Sequence, residues 1–102
     1  MIYGGTTPTH KFTLPIDTED ISAVRVLYAP KGGSPIIIKK NDSCELKDNT
    51  VSVRLTQEDT LALDNEKVVV VQLRILLNDG TALTSAKYTI KTYECMEEVV
   101  IE

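Results

Sequence analysis

The chain has 102 residues, a formal net charge of −4, and ordinary apolar (42%) and charged (25%) fractions, which together indicate one small globular domain. No run of about 18 apolar residues could span a membrane, and no basic region followed by an apolar stretch indicates a secretory signal. No lysine and arginine cluster offers the several bases that nucleic acid binding needs. We therefore expect a single domain over residues 1–102 that binds neither membranes nor nucleic acid.

Residues 1–8, which read MIYGGTTP, predict a flexible leader ahead of the first strand. A period of two then dominates the chain and predicts strands that bury one face. These strands are predicted in HKFTL, ISAVRVLYA, IIIKK, CEL and TVSVRL, in that order. In the second of them, we expect Val24, Val26 and Tyr28 to share the buried face, and in the last, Val51 and Val53 to point inward.

The segment LTQEDTLALD breaks this period. Thr56 is a suitable helix N-cap, and Asp59 stands where a capping box places its acid. The acids Glu58 and Asp59 also favour the positive end of a helix dipole. We therefore predict one helical turn over about residues 56–62, which crosses from one sheet to the other.

The segment KVVVVQLRILL predicts a central strand over residues 67–77, because its alternate apolar side chains form one face while Gln72 and Arg74 fall together on the other. Asp79-Gly80 then predicts a hairpin with a type I′ turn, and TALTSAKYTIKTY predicts one return strand. Six or seven strands with one crossover turn favour an all-β fold, an immunoglobulin-like antiparallel β-sandwich. A small barrel is the alternative.

Residues 93–102 form an acidic tail that holds four of the fifteen acids and no base, so the rest of the chain has eleven of each sign. The apolar residues Val99, Val100 and Ile101 lie among these acids. The tail is either a solvated end or a docking segment.

The sequence offers no recognisable chemistry, so we predict no enzyme, catalytic residue, metal or cofactor. His10 is the only histidine and is expected to be structural. Cys44 and Cys95 are expected to be reduced thiols, with a disulfide bridge as the alternative. An enzyme would require His10 to meet a cysteine or carboxylate in a pocket.

Several stretches of the chain carry a resemblance to a known family. The segments MIYGGTTPTHKFTLPIDTEDISAVRVLYAP, DSCELKDNTVSVRLTQEDTLAL and VVVQLRILLNDGTALTSAKY and the ending EEVV resemble short phage and prophage proteins of Gram-positive bacteria. The most specific pieces are GGTTPTH (4–10) and LTQEDT (55–60). The strand pattern is also similar to the N-terminal immunoglobulin-like domain of phage baseplate upper proteins. The chain lacks the long fibre and receptor-binding parts of those proteins, so the resemblance implies a virion-attached module without receptor binding.

In a virion protein, the leader could be an arm that docks on a neighbouring subunit. Ile2 and Tyr3 would be its apolar anchors, the two glycines its hinge, and Pro8 a residue that denies a hydrogen-bond donor to a sheet. The alternative is that residues 1–8 extend the first strand along its own sheet. The residues that we expect at an interface, from the leader and the tail, are Ile2, Tyr3, Gly4, Gly5, Pro8, Val99, Val100 and Ile101.

The leading hypothesis is a non-enzymatic tail or baseplate protein, made in the bacterial cytoplasm and located in the virion, with copies of itself or larger tail proteins as partners. The alternative is a free phage-encoded host-takeover or anti-defence binder. Arg25, Arg54 and Arg74 lie on outward faces of predicted strands, and if those strands adjoin they could form an anion-binding row. The alternative for these arginines is a solvated face.

Overall fold

The structure is a computed structural model that describes residues 1–102. The strand predicted at 67–77 is the central strand of its large sheet. There are nine strands and one α-helix. They are β1 (Ile2–Tyr3), β2 (Thr9–Thr13), β3 (Ile21–Pro30), β4 (Ile37–Lys39), β5 (Cys44–Lys47), β6 (Thr50–Arg54), α1 (Gln57–Leu63), β7 (Val68–Leu77), β8 (Ala82–Thr84) and β9 (Tyr88–Tyr93). Short 3₁₀ turns at Thr18–Asp20, Asn41–Ser43 and Asp64–Glu66 precede β3, β5 and β7.

The strands form two sheets. The large sheet has six strands in the order β1-β9-β7-β3-β4, and β8 pairs with β7 on the same side as β9. The small sheet has the order β2-β6-β5. The predicted all-β sandwich is confirmed, but with nine strands instead of six or seven, and β1 pairs with β9 in parallel while all other pairs are antiparallel.

Alternate residues of the longest strands form the core between the sheets. Val24, Val26 and Tyr28 of β3 are 0–1% exposed, as are Val51 and Val53 of β6. These residues are the ones that the sequence assigns to buried faces. Each large apolar side chain that is removed from water contributes about 1.5–3 kcal/mol before entropy is subtracted, so the period-two pattern fixes which face of each strand points inward.

Helix α1 connects β6 of the small sheet to β7 of the large sheet, as predicted. The Thr56 Oγ1 atom accepts a hydrogen bond from Asp59 N (3.1 Å), and Asp59 Oδ2 accepts one from Thr56 N (2.8 Å), which completes the predicted capping box. Asp59 also forms an ion pair with Lys39 of β4 (2.6 Å). Burial would raise the pKa of Asp59, but the bonds and charge of Lys39 and the bonds to Thr56 lower it overall.

The hairpin after β7 forms at Asp79-Gly80, but two details of the prediction are wrong. Only Gly80 has positive φ (89°), whereas a type I′ turn needs it at two residues. Gly80 N instead bonds Leu77 O (3.0 Å) and Leu77 N bonds Thr81 O (2.8 Å), which closes a three-residue loop. The return segment is also two strands, because the Ser85 hydroxyl accepts the Leu73 N–H (2.9 Å) and interrupts the ladder between β8 and β9.

The molecule is two layers thick. Its Cα extents are 46 × 31 × 17 Å, and the smallest of these accommodates two sheets about 10 Å apart but no third layer. The side of the large sheet that faces away from the small sheet therefore has no covering element. None of the helices is long and apolar enough to cross a membrane.

Candidate functional site

The uncovered side of the large sheet, which we call the open face, is the main candidate site. It consists of the outward residues of β1, β3, β4, β7, β8 and β9, among which Leu27, Val70 and Ala29 are only half-buried. Ile38 and Leu76 on the same side are 46% and 41% exposed. Ile38 is paired with Leu27, and the Arg25–Arg74 pair separates these two from Leu76. Exposed apolar patches commonly mark interaction sites on soluble domains.

The charge of the large sheet has one sign. Its six strands contain no aspartate or glutamate, whereas they contain four bases, namely Arg25, Lys39, Arg74 and Lys91. Lys39 lies on the inner side, where it pairs with Asp59 in the single ion pair of the chain. The other three bases lie on the open face and are exposed.

Arg25 and Arg74 are direct neighbours on the open face. They are paired across β3 and β7, so their side chains project from the same side of the sheet. A shallow depression of about 290 Å³ lies beside them, lined by Ala23, Arg25, Arg74, Ile75, Leu76 and Ala82. Like charges placed directly opposite each other destabilise a sheet, and neither arginine has an acidic partner. This pair could hold carboxylates or phosphates supplied by another molecule.

An exposed aromatic pair stands at the β1 edge of the open face. The rings of Tyr3 and Tyr93 are stacked, with centroids 4.9 Å apart and planes 21° apart. They are 50% and 40% exposed. Tyrosines at a surface supply large contact area with little conformational entropy to lose, and they are enriched at protein interfaces.

The acidic tail is tied back to the start of α1. The side-chain amide of Gln57 accepts a hydrogen bond from Ile101 N (2.8 Å) and donates one to Ile101 O (3.2 Å), as a neighbouring strand would. Val99 and Ile101 nevertheless remain 58% and 73% exposed, and Val100 is 37% exposed. The tail is thus held through its backbone while its side chains face solvent.

A carboxyl pair lies at the base of the tail. Desolvation raises the pKa of Glu98, and the hydrogen bond and charge of Asp64 and the charge of Glu94 raise it further. Asp64 is 2% exposed, and its Oδ2 atom accepts a hydrogen bond from Cys95 N (3.2 Å). No group of three or more histidine, cysteine, aspartate and glutamate side chains is arranged to hold a metal ion.

The leader is folded onto its own chain, and both sequence interpretations of it need correction. Ile2 is 0% exposed in the core, so of the two predicted anchors only Tyr3 lies at the surface. Nor do residues 1–8 extend β2, because β1 belongs to the large sheet and β2 to the small one. Hydrogen bonds from Thr60 Oγ1 to Thr6 O (2.8 Å) and from Leu55 N to Pro8 O (2.9 Å) fix the segment between them.

Gly4 and Gly5 have different roles in this segment. Gly4 is buried against Asp64, and a Cβ atom at position 4 would overlap the Asp64 carboxylate. Gly5 has φ of +79°, a conformation that glycine adopts most easily. The predicted hinge is therefore a close contact followed by a tight turn.

His10 bonds a tyrosine. Its Nδ1 atom lies 2.7 Å from the Tyr28 hydroxyl. Burial lowers the pKa of His10, with a smaller contribution from the charged N-terminus.

Cys44 lies two strands away from His10 on the same side of the small sheet, and Val53 stands between them. Burial raises the pKa of the Cys44 thiol, the opposite of the shift that activates a nucleophile. Cys44 and Cys95 are both free thiols.

The structure joins two of the three arginines that the sequence proposes as a row. Arg25 and Arg74 are adjacent, but Arg54 lies on the small sheet and donates a hydrogen bond to Thr7 Oγ1 (3.2 Å). Sequence reasoning missed the Tyr3–Tyr93 stack, because it depends on the pairing of the two ends of the chain. No local pattern signals that pairing.

The chain matches no protein-family model, and neither the curated proteins nor the solved structures searched include a significant match.

Proposed function

We propose that this chain is a non-enzymatic structural protein of a phage particle, a tail- or baseplate-associated module that assembles through protein–protein contacts. The observation that carries the proposal is the open face, which combines exposed apolar residues with the unpaired Arg25 and Arg74. A protein whose task is to bury surface against other subunits needs such a face. The resemblance of the sequence to phage proteins supports the assignment to a phage particle. The open face supports attachment to that particle through protein–protein contacts.

The direct test is mass spectrometry of gradient-purified particles from an induced or infected culture. We expect the polypeptide in intact particles at a fixed ratio to the major tail protein. The variant Arg25→Glu/Arg74→Glu should be expressed at the same level in lysates but lost from particles. The control Arg54→Gln, which alters an arginine of the small sheet, should remain particle-bound. A wild-type chain that is abundant in lysate and absent from particles would exclude the proposal.

A free host-takeover or anti-defence binder is the second candidate, and the adjacency of Arg25 and Arg74 is the observation that favours it. A binder of an anionic host surface or ligand would use the same two guanidinium groups. It would be absent from particles and would bind one host protein or nucleotide with an affinity that Arg25→Glu/Arg74→Glu abolishes.

A further inference from the structure

We propose that the open face binds the acidic C-terminal tail of a second copy of this chain, which joins the copies head to tail. This inference rests on the proposed function, because it names the partner that an assembly module of this kind would contact.

The open face and the acidic tail have complementary charges. The strands of the large sheet contain bases and no acid, whereas residues 94–102 contain four glutamates and no base. A direct contact of two open faces would bring together four guanidinium groups without a counter-charge. An occupant that supplies acids is therefore favoured, and the acidic segment of this chain is such an occupant.

The end of the tail is held away from the open face of its own chain. Gln57, which holds Ile101, belongs to α1, and Val100 lines a depression beside Arg54 and Thr56. Arg54 ends β6 of the small sheet and Thr56 follows it closely, so the end of the tail is held beside the small sheet. A tail held in this way cannot reach the open face of its own chain, but it can contact the face of a neighbour.

The order of residues in the tail matches the order of residues along the open face. The stretch Glu97–Glu102 reads EEVVIE, so an acid pair is followed by three apolar residues. The open face repeats this order, because Arg25 is followed along β3 by the outward Leu27 and Ala29. Glu97 can bond the guanidinium pair directly, and Glu98 can join it when its carboxyl leaves Asp64, while the apolar residues of the tail cover the strip beyond it.

The symmetry of the contact follows from these positions. Because the two surfaces differ, the contact is heterologous and repeats into a ring or a filament.

The test uses two full-length variants. The face variant is Arg25→Glu/Arg74→Glu. The tail variant is Glu97→Lys/Glu98→Lys, which keeps the length of the chain and the contact of Ile101 with Gln57. Sedimentation velocity of the wild-type chain should show association that increases with concentration and weakens between about 0.05 and 0.5 M salt. Each variant alone should associate at least about ten-fold more weakly.

Mixing these two variants gives the decisive result. The reversed charges of the face variant match those of the tail variant, so the mixture should associate where neither variant does alone. The neutral pair of variants, Arg25→Gln/Arg74→Gln and Glu97→Gln/Glu98→Gln, should form only heterodimers on mixing, because the intact face of one variant can bind the intact tail of the other. The charge-reversed mixture has a second complementary contact and should therefore grow beyond the dimer. A wild-type chain that stays monomeric up to about 1 mM, or a mixture that does not associate, would overturn the proposal.

A synthetic peptide of residues 96–102 identifies the occupant. It should bind the wild-type open face, with chemical shift changes in amides of β3 and β7, and should not bind the face variant. Equal binding of tripolyphosphate and the peptide would assign the arginines to a free anion and would overturn the tail as occupant. Particle association is measured separately, so a monomeric chain found in particles would reject this inference and keep the proposed function.

Discussion

Gly4 is the residue on which the closing of the sandwich at β1 depends. Its N–H donates to Tyr93 O (2.9 Å), which continues the β1–β9 ladder, and its α-carbon lies against the buried Asp64 carboxylate. Any side chain at position 4 would push β1 away from β9 or push Asp64 out of its contact with Cys95 N. A residue that looks like a flexible linker in the sequence is therefore a packing position.

Gly4→Ala should destabilise the protein by about 1–3 kcal/mol, the usual cost of adding a methyl group to a filled space. Urea denaturation would measure this cost. Asp64→Ala makes room for the new methyl group, so the cost of Gly4→Ala should be smaller in that background, as a double-mutant cycle would report. Equal costs in the two backgrounds would mean that the Asp64 carboxylate does not set the requirement for glycine.

The His10–Tyr28 bond predicts a pH dependence of stability. The pKa of His10 is lowered in the folded protein, mainly by burial, so below its usual value of about 6.5 the unfolded chain takes up the proton first. The free energy of unfolding should therefore decrease as the pH falls from about 7.5 to about 5.5. His10→Gln, which keeps a polar group near Tyr28, should remove this part of the decrease. An unchanged pH profile in His10→Gln would contradict the prediction.

At the scale of elements, the strands that carry a buried face could be predicted and their ends could not. The alternation in β3, β6 and β7 assigns the correct side chains to the core, because a one-residue slip would expose the whole set. The break between β8 and β9 depends on the hydrogen bond from Leu73 N to the Ser85 hydroxyl. That bond joins positions twelve residues apart in different strands, so the alternation of TALTSAKYTIKTY does not reveal it.

The end of the tail is held by one side chain, that of Gln57. Gln57→Ala removes both hydrogen bonds to Ile101, each of which contributes about 0.5–1.5 kcal/mol. Amide exchange at Ile101 should become faster and residues 99–102 should become more sensitive to proteolysis, while the global stability should fall by at most about 1–3 kcal/mol. Glu58→Ala is the matched control on the same turn of α1. Slow exchange at Ile101 in Gln57→Ala would show that other contacts hold the tail.

At the scale of the whole molecule, the residues of the candidate site could be predicted from the sequence, but their positions relative to one another could not. Arg25 and Arg74 can be recognised as outward residues from the alternation of their strands. Their adjacency depends on the pairing of β3 with β7, across which the two residues are 49 positions apart in the chain. The same reasoning wrongly groups Arg54 with them, because alternation states which side of a strand a residue occupies and not to which sheet the strand belongs.

The arginine pair should lower the stability of the isolated molecule. A pair with a structural role would raise the stability, so the sign of the effect distinguishes a binding site from a structural feature. Directly opposed like charges cost up to about 1 kcal/mol, and threonine suits a strand. Arg74→Thr should therefore raise the free energy of unfolding by a few tenths to about 1 kcal/mol at low salt, and less at high salt. Arg54→Thr, which loses a hydrogen bond to Thr7 and relieves no repulsion, should give no such gain. Urea denaturation at two salt concentrations measures both. A loss of stability in Arg74→Thr at low salt would mean that Arg74 supports the sheet. A gain of stability together with weaker self-association would mean that the fold retains a repulsive pair because a partner neutralises it.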